Sequence, residues 1–180
     1  MRLQSLKHLV SIAAAIAIDR RIIVLGSSSL LASFPELGER DGPLETSFDA
    51  DLLVEGIDEA LAGVLEESLG NESLFKAREG YYADMLRPAV ATMFPRDWES
   101  RLIPLPGCAT ASCLDPHDLA AIKLQAGRSK DLELCATLIA GGLVRPAVIE
   151  ERLRSTPMED RLRVITAERL RQVTKSKSGV

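Results

Sequence analysis

Two aspartates at alternate positions, Asp49 and Asp51, lie in a segment, residues 48–54, whose apolar content is typical of a buried strand. Side chains two apart in a strand point to the same face, so both carboxylates are presented together while Ala50 faces the other way. Converging carboxylates repel one another unless a cation lies between them. Mg²⁺ is commonly held by one or two carboxylates together with substrate phosphates. The spacing predicts a metal site, although a solvated strand end would show the same pattern.

A glycine turn follows the first strand-like segment, where Gly26, Ser27 and Ser28 come directly after the apolar residues 22–25. Glycine has no side chain, so backbone amides beside it can approach a phosphate closely. Together with the paired aspartates, the turn predicts metal-assisted nucleotidyl transfer. Gly26, Ser27 and Ser28 are then the expected nucleotide-binding residues.

A third chemically dense segment, residues 115–133, combines charged residues with apolar residues at helical spacing. Lys123 lies between apolar positions, so either its stem is buried while its amine reaches solvent, or it lines the rim of a cleft. Arg128 and Lys130 follow closely, and with Lys123 they could neutralise a triphosphate. Asp131 could orient one of these cations.

The composition is that of a folded globular chain. Of its 180 residues, 46% are apolar and 27% charged, which suits one domain or two closely packed subdomains. The net charge of −4 is uneven: from Leu143 onward nine Lys and Arg accompany five Asp and Glu, a net of +4, and the rest carries −8. An acidic body binds nucleic acid poorly. The basic segment could meet RNA or an acidic partner, or simply form a solvated helix face.

Three cysteines, Cys108, Cys113 and Cys135, include no Cys-x-x-Cys pair, which argues against a disulfide framework and a zinc knuckle. They are typical of buried thiols in a reducing compartment, so we expect a cytoplasmic protein without disulfides. The apolar run over residues 9–18 resembles a signal-peptide core, but its helical periodicity predicts an amphipathic first helix. No apolar run is long enough to span a membrane.

Strand-like and helical patterns alternate in the first part of the chain. After the first helix, the patterns predict strands over 21–25 and 49–54 and helices over 28–34 and from Asp58 to Leu69. Further strands are predicted over 73–78, 81–86, 101–105 and 111–114. This order predicts an α/β fold with a small mixed β-sheet flanked by helices.

The last third of the chain contains helical patterns only. Asp115 followed by Pro116 is typical of a helix start, and Gly141-Gly142 of a helix end. Thr156-Pro157-Met158-Glu159 has the pattern of a capping box that begins a last helix through about Val173. We therefore expect an α/β core over residues 1–114, a helical C-terminal subdomain over 115–174 and a frayed tail over 175–180.

An ordered set of short motifs extends from Ile22 to Val144. It comprises Gly26-Ser27, Asp49-Ala50-Asp51, Gly80-Tyr81-Tyr82-Ala83-Asp84, Phe94-Pro95-Arg96-Asp97-Trp98 and a helix pair from Pro116 to Glu133 that carries Lys123, Arg128, Lys130 and Asp131. This order resembles the nucleotidyltransferase-like proteins of the DNA polymerase beta superfamily. It is closest to a bacterial family of that fold without assigned function, and more distantly similar to the abortive-infection toxin nucleotidyltransferases.

The resemblance implies a nucleotidyltransferase-like core that moves a nucleotide from an NTP to a hydroxyl of a protein or an RNA. It implies that Asp49 and Asp51 hold Mg²⁺, with two ions as one arrangement. The third metal carboxylate of active members lies on a later strand, where Asp84 is the candidate. The resemblance also allows that the chain is the toxin of a toxin–antitoxin pair, with an antitoxin as its partner.

The nucleotide contacts can be carried over in the same way. Gly26 and Ser27 match the positions that contact the phosphates. Lys123 and Asp131 match the place where the toxin-like relatives carry a catalytic lysine and acid. The resemblance implies that these residues and the metal carboxylates surround one pocket, with the Gly26 turn as its floor.

Two alternatives compete with a transferase. The first is a catalytically silent member that binds nucleotides or proteins, since Glu45 stands where the toxin-like relatives carry an arginine. The second is a serine hydrolase using Ser27 or Ser28 with His117 and Asp118, although the chain lacks the Gly-x-Ser-x-Gly elbow.

Overall fold

The computed structural model describes residues 1–175. In this part of the chain, seven α-helices and five strands form an α/β fold with a mixed sheet. The helices are α1 (Leu3–Ile16), α2 (Glu59–Leu69), α3 (Leu74–Glu79), α4 (Pro116–Ala126), α5 (Ser129–Ala140), α6 (Pro146–Ser155) and α7 (Asp160–Lys175). The strands are β1 (Ile22–Val24), β2 (Asp49–Val54), β3 (Tyr82–Met85), β4 (Ile103–Pro104) and β5 (Ala111–Cys113). Short 3₁₀ helices cover Ser27–Ala32, Pro35–Gly38, Pro88–Met93 and Trp98–Arg101.

The chain divides into two compact units. Unit 1 comprises residues 1–89 and 101–114 and contains the whole sheet together with α1, α2 and α3. Unit 2 comprises residues 90–100 and those from 115 onward, and it contains α4 to α7. None of the described helices is long and apolar enough to cross a membrane, and all three cysteines are free thiols.

The sheet of unit 1 has the strand order β3-β2-β1-β5-β4. The central strand β1 is entirely buried and pairs antiparallel with β2 and parallel with β5. β2 also pairs parallel with β3, while β4 pairs antiparallel with β5. α1 packs on β1 and α2 through a stripe of buried side chains, which confirms the predicted amphipathic helix; the stripe is Leu6, Leu9, Val10 and Ala13.

Local patterns predicted most of unit 1, with three corrections. The predicted strand over residues 73–78 is wrong, because this segment forms α3. Ser73 caps α3, its Oγ accepting a hydrogen bond from the Lys76 amide at 3.1 Å, and Gly80 ends it in the left-handed conformation. The predicted helix over residues 28–34 is a 3₁₀ helix that begins at Ser27. The strand predicted over 101–105 is reduced to the two residues of β4.

Unit 2 is helical, as predicted for the end of the chain. Asp115 caps α4, its carboxylate accepting from the amide of His117 at 2.8 Å, with Pro116 in the first turn. The predicted capping box at Thr156 is wrong: the Thr156 hydroxyl donates to the Arg152 carbonyl at 2.7 Å, and α7 begins only at Asp160. α7 then continues through Lys175, and residues 176–180 of the predicted tail lie outside the described residues.

Candidate metal centre

Three carboxylates converge on one face of the sheet in unit 1. Each of Asp49, Asp51 and Asp84 offers an oxygen, and these oxygens all lie within 4.8 Å of one another. The cluster forms because β2 and β3 pair in parallel with Asp51 directly opposite Asp84. Residues opposite one another in a sheet point to the same face, so all three side chains are on the same side.

The other face of the same strands is apolar. Ala50, Leu52 and Ala83 alternate with the aspartates and are buried in the core of unit 1. These buried residues fix which face the carboxylates occupy, because a shift of one residue in register would bury the charges and expose the core. Asp49 and Asp51 are half-buried and Asp84 is exposed, so the cluster is open to a ligand.

The cluster produces a negative field at its own members. Loss of solvent through partial burial, followed by the charges of Asp49 and Glu66, raises the pKa of the Asp84 carboxyl above its usual value. Tyr82 lies opposite Asp49 in the register, and burial together with the three carboxylates raises the pKa of its phenol. A divalent cation would relieve this repulsion, and three carboxylate oxygens are hard ligands of the kind that Mg²⁺ and Mn²⁺ prefer.

Gly26 lies directly against the cluster. Its φ of −71° is open to any residue, so the reason for glycine here is space. A Cβ atom at this position would lie 2.7 Å from Cγ of Asp51 and would overlap one of its carboxylate oxygens. The backbone holds the two segments together, with the Leu25 amide donating to the Asp51 carbonyl at 2.9 Å.

Two buried hydroxyls follow Gly26 in the 3₁₀ helix Ser27–Ala32, which packs against β2. Ser28 and Ser29 are at most 2% exposed, and in the described part of the chain their Oγ atoms have no hydrogen-bond partner. A buried hydroxyl without a partner costs about 1–3 kcal/mol, so such groups usually need an explanation. A ligand that hydrogen-bonds to this 3₁₀ helix is one such explanation.

The predicted cations lie in unit 2, where two of them converge on a buried acid. Lys123 approaches Asp131 at 2.9 Å and Arg128 approaches it at 2.6 Å, while the Asp131 side chain is 1% exposed. Burial alone would raise the pKa of Asp131, but hydrogen bonds from Arg128 and Lys123 outweigh it and hold the pKa below its usual value. Lys130 is exposed.

The predicted site residues therefore fall into two groups. The structure brings Gly26, Asp49, Asp51 and Asp84 together in unit 1, and Lys123, Arg128 and Asp131 together in unit 2. That both groups serve one pocket stays a prediction of the sequence.

His117 has no ring nitrogen available for a serine hydrolase. Its Nε2 accepts a hydrogen bond from the Arg145 amide at 3.1 Å, and its Nδ1 lies 3.3 Å from the Asp115 carboxylate. Asp118, the third member of that hypothesis, is fully buried and lies 3.0 Å from the Arg152 guanidinium. His117 thus joins the start of α4 to the start of α6.

Sequence reasoning missed two groups near the cluster, Tyr82 and Lys76, and one buried hydroxyl of the 3₁₀ helix after Gly26, that of Ser29. Tyr82 precedes Asp84 by two residues, so strand alternation alone could have placed it on the same face. Lys76 lies with its amine 5.1 Å from the centre of the Tyr82 ring, a cation–π contact that requires the α3 turn and carries no local signal. Ser29 was passed over because its burial depends on packing against β2.

Comparison with known proteins adds no assignment. The chain has no significant match to a protein-family model, to a curated protein or to a solved structure.

Proposed function

We propose that this protein is a nucleotidyltransferase-like enzyme that transfers a nucleotide from an NTP to a hydroxyl of a protein or an RNA, with Mg²⁺ as its cofactor. The observation that carries the proposal is the convergence of Asp49, Asp51 and Asp84 on adjacent parallel strands. The Gly26 turn beside Asp51 supports it as a place for phosphates, and so do the buried hydroxyls of Ser28 and Ser29, which lack a partner in the 3₁₀ helix that follows Gly26.

The three acids would act together. Asp49 and Asp51, from one strand, would hold Mg²⁺, which supplies charge neutralisation to the reacting phosphate. Asp84, on the adjacent strand, would complete the set of carboxylates around the ion, and the acceptor hydroxyl would lose its proton to solvent as its oxygen attacks. The acceptor oxygen forms a bond to the α-phosphorus, and pyrophosphate leaves in line with it.

Cationic groups complete the proposal. The charges of Arg128, Lys130 and Lys123 would neutralise the triphosphate, and the resemblance implies that Lys123 and Asp131 are the catalytic lysine and acid. Within unit 1, Lys76 is a further cation on the Asp84 side of the sheet, since it stacks on Tyr82 in the same strand. Positioning and charge neutralisation supply most of the rate in phosphoryl transfer, so these cations matter as much as the acids.

The first test measures metal and nucleotide binding. We expect Mn²⁺, followed by electron paramagnetic resonance, to bind the native protein and to raise its NTP affinity in titration calorimetry. Asp51→Asn should weaken Mn²⁺ binding at least about tenfold with little loss of thermal stability, because it removes a ligand but not a core contact. Glu67→Gln, an exposed acid of α2 outside the cluster, is the matched control. NTP binding that is identical with and without metal would contradict the metal centre.

The second measurement separates an enzyme from a silent binding module. A transferase should move labelled nucleotide to RNA or protein, and Asp84→Asn should abolish transfer while NTP binding persists. Growth arrest on expression, relieved by Asp49→Asn, would place the activity in a toxin–antitoxin pair. Metal-dependent NTP binding without any transfer would instead favour the silent member of the fold.

A further inference from the structure

We propose that the groove between α6 and α7 in unit 2 binds an amphipathic helix of a protein partner, one whose apolar stripe is flanked by acidic residues. The groove encloses about 550 Å³ and is lined by these two helices and the segment that joins them. It shares no residue with the carboxylate cluster or with the predicted nucleotide-binding residues, so the proposal stands independently of the catalytic one.

α6 contributes one regular face to the groove. The residues of α6 that line the groove recur at spacings of three, four and seven positions, which places them on one side of the helix. They are Pro146, Ala147, Glu150, Leu153 and Arg154. The opposite side of α6 is occupied by the core of unit 2, where Ile149 is fully buried. Ala147, Glu150 and Arg154 make the groove face a second, exposed surface of α6, while Leu153 at its base is buried and joins this face to the core.

α7 presents a matching stripe. Five residues of α7 recur at helical spacing and face the same groove. They are Arg163, Ala167, Leu170, Arg171 and Thr174. α6 and α7 pack against each other, so their two stripes form the walls of a trough. A trough between two helices accepts the ridge of a third helix, which would place apolar anchors at every third or fourth residue along it.

The charge around the groove selects the partner. Its lining contains four basic side chains, Arg154, Arg163, Arg171 and Lys175, against a single acid, Glu150. Arg154 pairs with Glu150 at 2.7 Å and Arg171 pairs with Glu168, both at exposed positions, so these pairs contribute little and can exchange partners. The Arg163 guanidinium donates to the carbonyls of Leu153 and Thr156, which hold it in place without cancelling its charge.

Other occupants suit this surface less well. The floor is apolar, with Leu153, Met158 and Leu170, and an RNA backbone would leave those side chains unused. An acidic amphipathic helix satisfies both the apolar floor and the basic rim.

The test uses two synthetic peptides of about four helical turns, each constrained in a helix by lactam bridges. Both carry leucines at every third and fourth position; one has glutamates beside the leucines and the other has lysines. Fluorescence anisotropy with the full chain should show saturable binding of the acidic peptide, at least about tenfold tighter than the basic one. The affinity should fall as salt is raised, because exposed charges are screened.

Variants of α7 locate the binding. Ala167→Gln places a larger side chain in the groove, and Arg171→Glu reverses a charge at its rim. Each variant should therefore lower the affinity for the acidic peptide roughly tenfold or more. Val164→Gln and Arg161→Glu make comparable changes on the same helix outside the groove, and they should leave the affinity unchanged. Equal binding of both peptides, or equal binding by Ala167→Gln and the native chain, would overturn the proposal.

Two further outcomes would assign the groove to another occupant and would equally overturn the proposal. One is a dimer in sedimentation that Ala167→Gln dissociates, which would make a second copy of the chain the occupant. The other is acidic-peptide binding that appears only after removal of residues 176–180, which would make the chain's own end the occupant.

Discussion

At the scale of single residues, the closest approach in the candidate site joins Gly26 to Asp51. The Gly26 backbone has an ordinary φ, so its lack of a side chain serves space and not conformation. Asp51 occupies that space with its carboxylate, beside the two other acids. The glycine thus sets the position of a predicted metal ligand without contacting a metal itself.

We predict that Gly26→Ala lowers the free energy of unfolding by about 1–3 kcal/mol, because the new methyl group overlaps the Asp51 carboxylate. The same variant should weaken Mn²⁺ binding, since Asp51 must rotate away from the cluster. Denaturant unfolding and paramagnetic titration measure the two effects. The double variant Gly26→Ala with Asp51→Gly should regain most of the stability while remaining unable to bind Mn²⁺ normally.

Gly63→Ala is the matched control for this prediction. Gly63 lies within α2, and a Cβ atom there would meet nothing within 4 Å. Alanine in a helix interior is more favourable than glycine by about 0.5–1 kcal/mol, so this variant should stabilise the protein and leave metal binding unchanged. A Gly26→Ala variant that was as stable as Gly63→Ala and bound Mn²⁺ as well would contradict the close approach between Gly26 and Asp51.

The sequence predicts part of this site for clear physical reasons. Alternation along a strand is local, so the shared face of Asp49 and Asp51 follows from their spacing alone. Pairing of β2 with β3 is non-local, and only the resemblance to a known fold suggested Asp84. The contact between Lys76 and Tyr82 depends on a helix that was predicted as a strand, so no pattern in the sequence could indicate it.

At the scale of secondary structure, two helices end in the same way but in different surroundings. α3 ends at Gly80 with φ of 81° and α4 ends at Gly127 with φ of 65°, both in the left-handed region. A Cβ atom at Gly80 would meet nothing within 4 Å, whereas one at Gly127 would overlap the Arg169 guanidinium. That guanidinium donates to the carbonyls of Leu124 and Gln125 at 2.8 and 2.9 Å.

We predict that Gly80→Ala costs about 1–2 kcal/mol of stability, the penalty of a left-handed alanine. Gly127→Ala should cost at least about 1 kcal/mol more, because Arg169 must also leave the carbonyls at the end of α4. Chemical denaturation of both variants gives the difference. Adding Arg169→Met to each variant provides the control. The two glycine substitutions should then cost the same free energy of unfolding. A difference that persisted would rule out Arg169 as its cause.

Element boundaries show which signals were sufficient. β2 begins and ends as predicted, because Asp49 and Asp51 alternate with buried Ala50 and Leu52 and the strand then continues with two further buried apolar residues. α3 was predicted wrongly because a helix of six residues with one buried side chain, Phe75, has too little periodicity to distinguish it from a strand. The motif at Thr156 also misled, since a threonine hydroxyl can bond back to a carbonyl of the preceding helix instead of capping the next one.

At the scale of the whole molecule, the proposed chemistry draws on residues of both units. The carboxylate cluster belongs to unit 1, and the cations predicted to neutralise the triphosphate belong to unit 2. Lys123 and Arg128 are engaged with the buried Asp131, whereas Lys130 is exposed. Removing Lys123 would leave Asp131 with less compensation, so Lys130 is the better position at which to test a role in binding.

Hydrogen exchange can show which unit responds to each ligand. We predict that Mn²⁺ alone protects β2 and β3, because a ligand that binds only the native state opposes local opening. A non-hydrolysable NTP should add protection over residues 123–131 if the predicted cations bind its phosphates, and Lys130→Met should reduce that added protection while the Mn²⁺ effect remains. Lys76→Met is the matched variant in unit 1. If nucleotide protects unit 1 alone and only Lys76→Met weakens binding, the phosphate contacts belong to Lys76, and the assignment to Lys123, Arg128 and Lys130 is wrong.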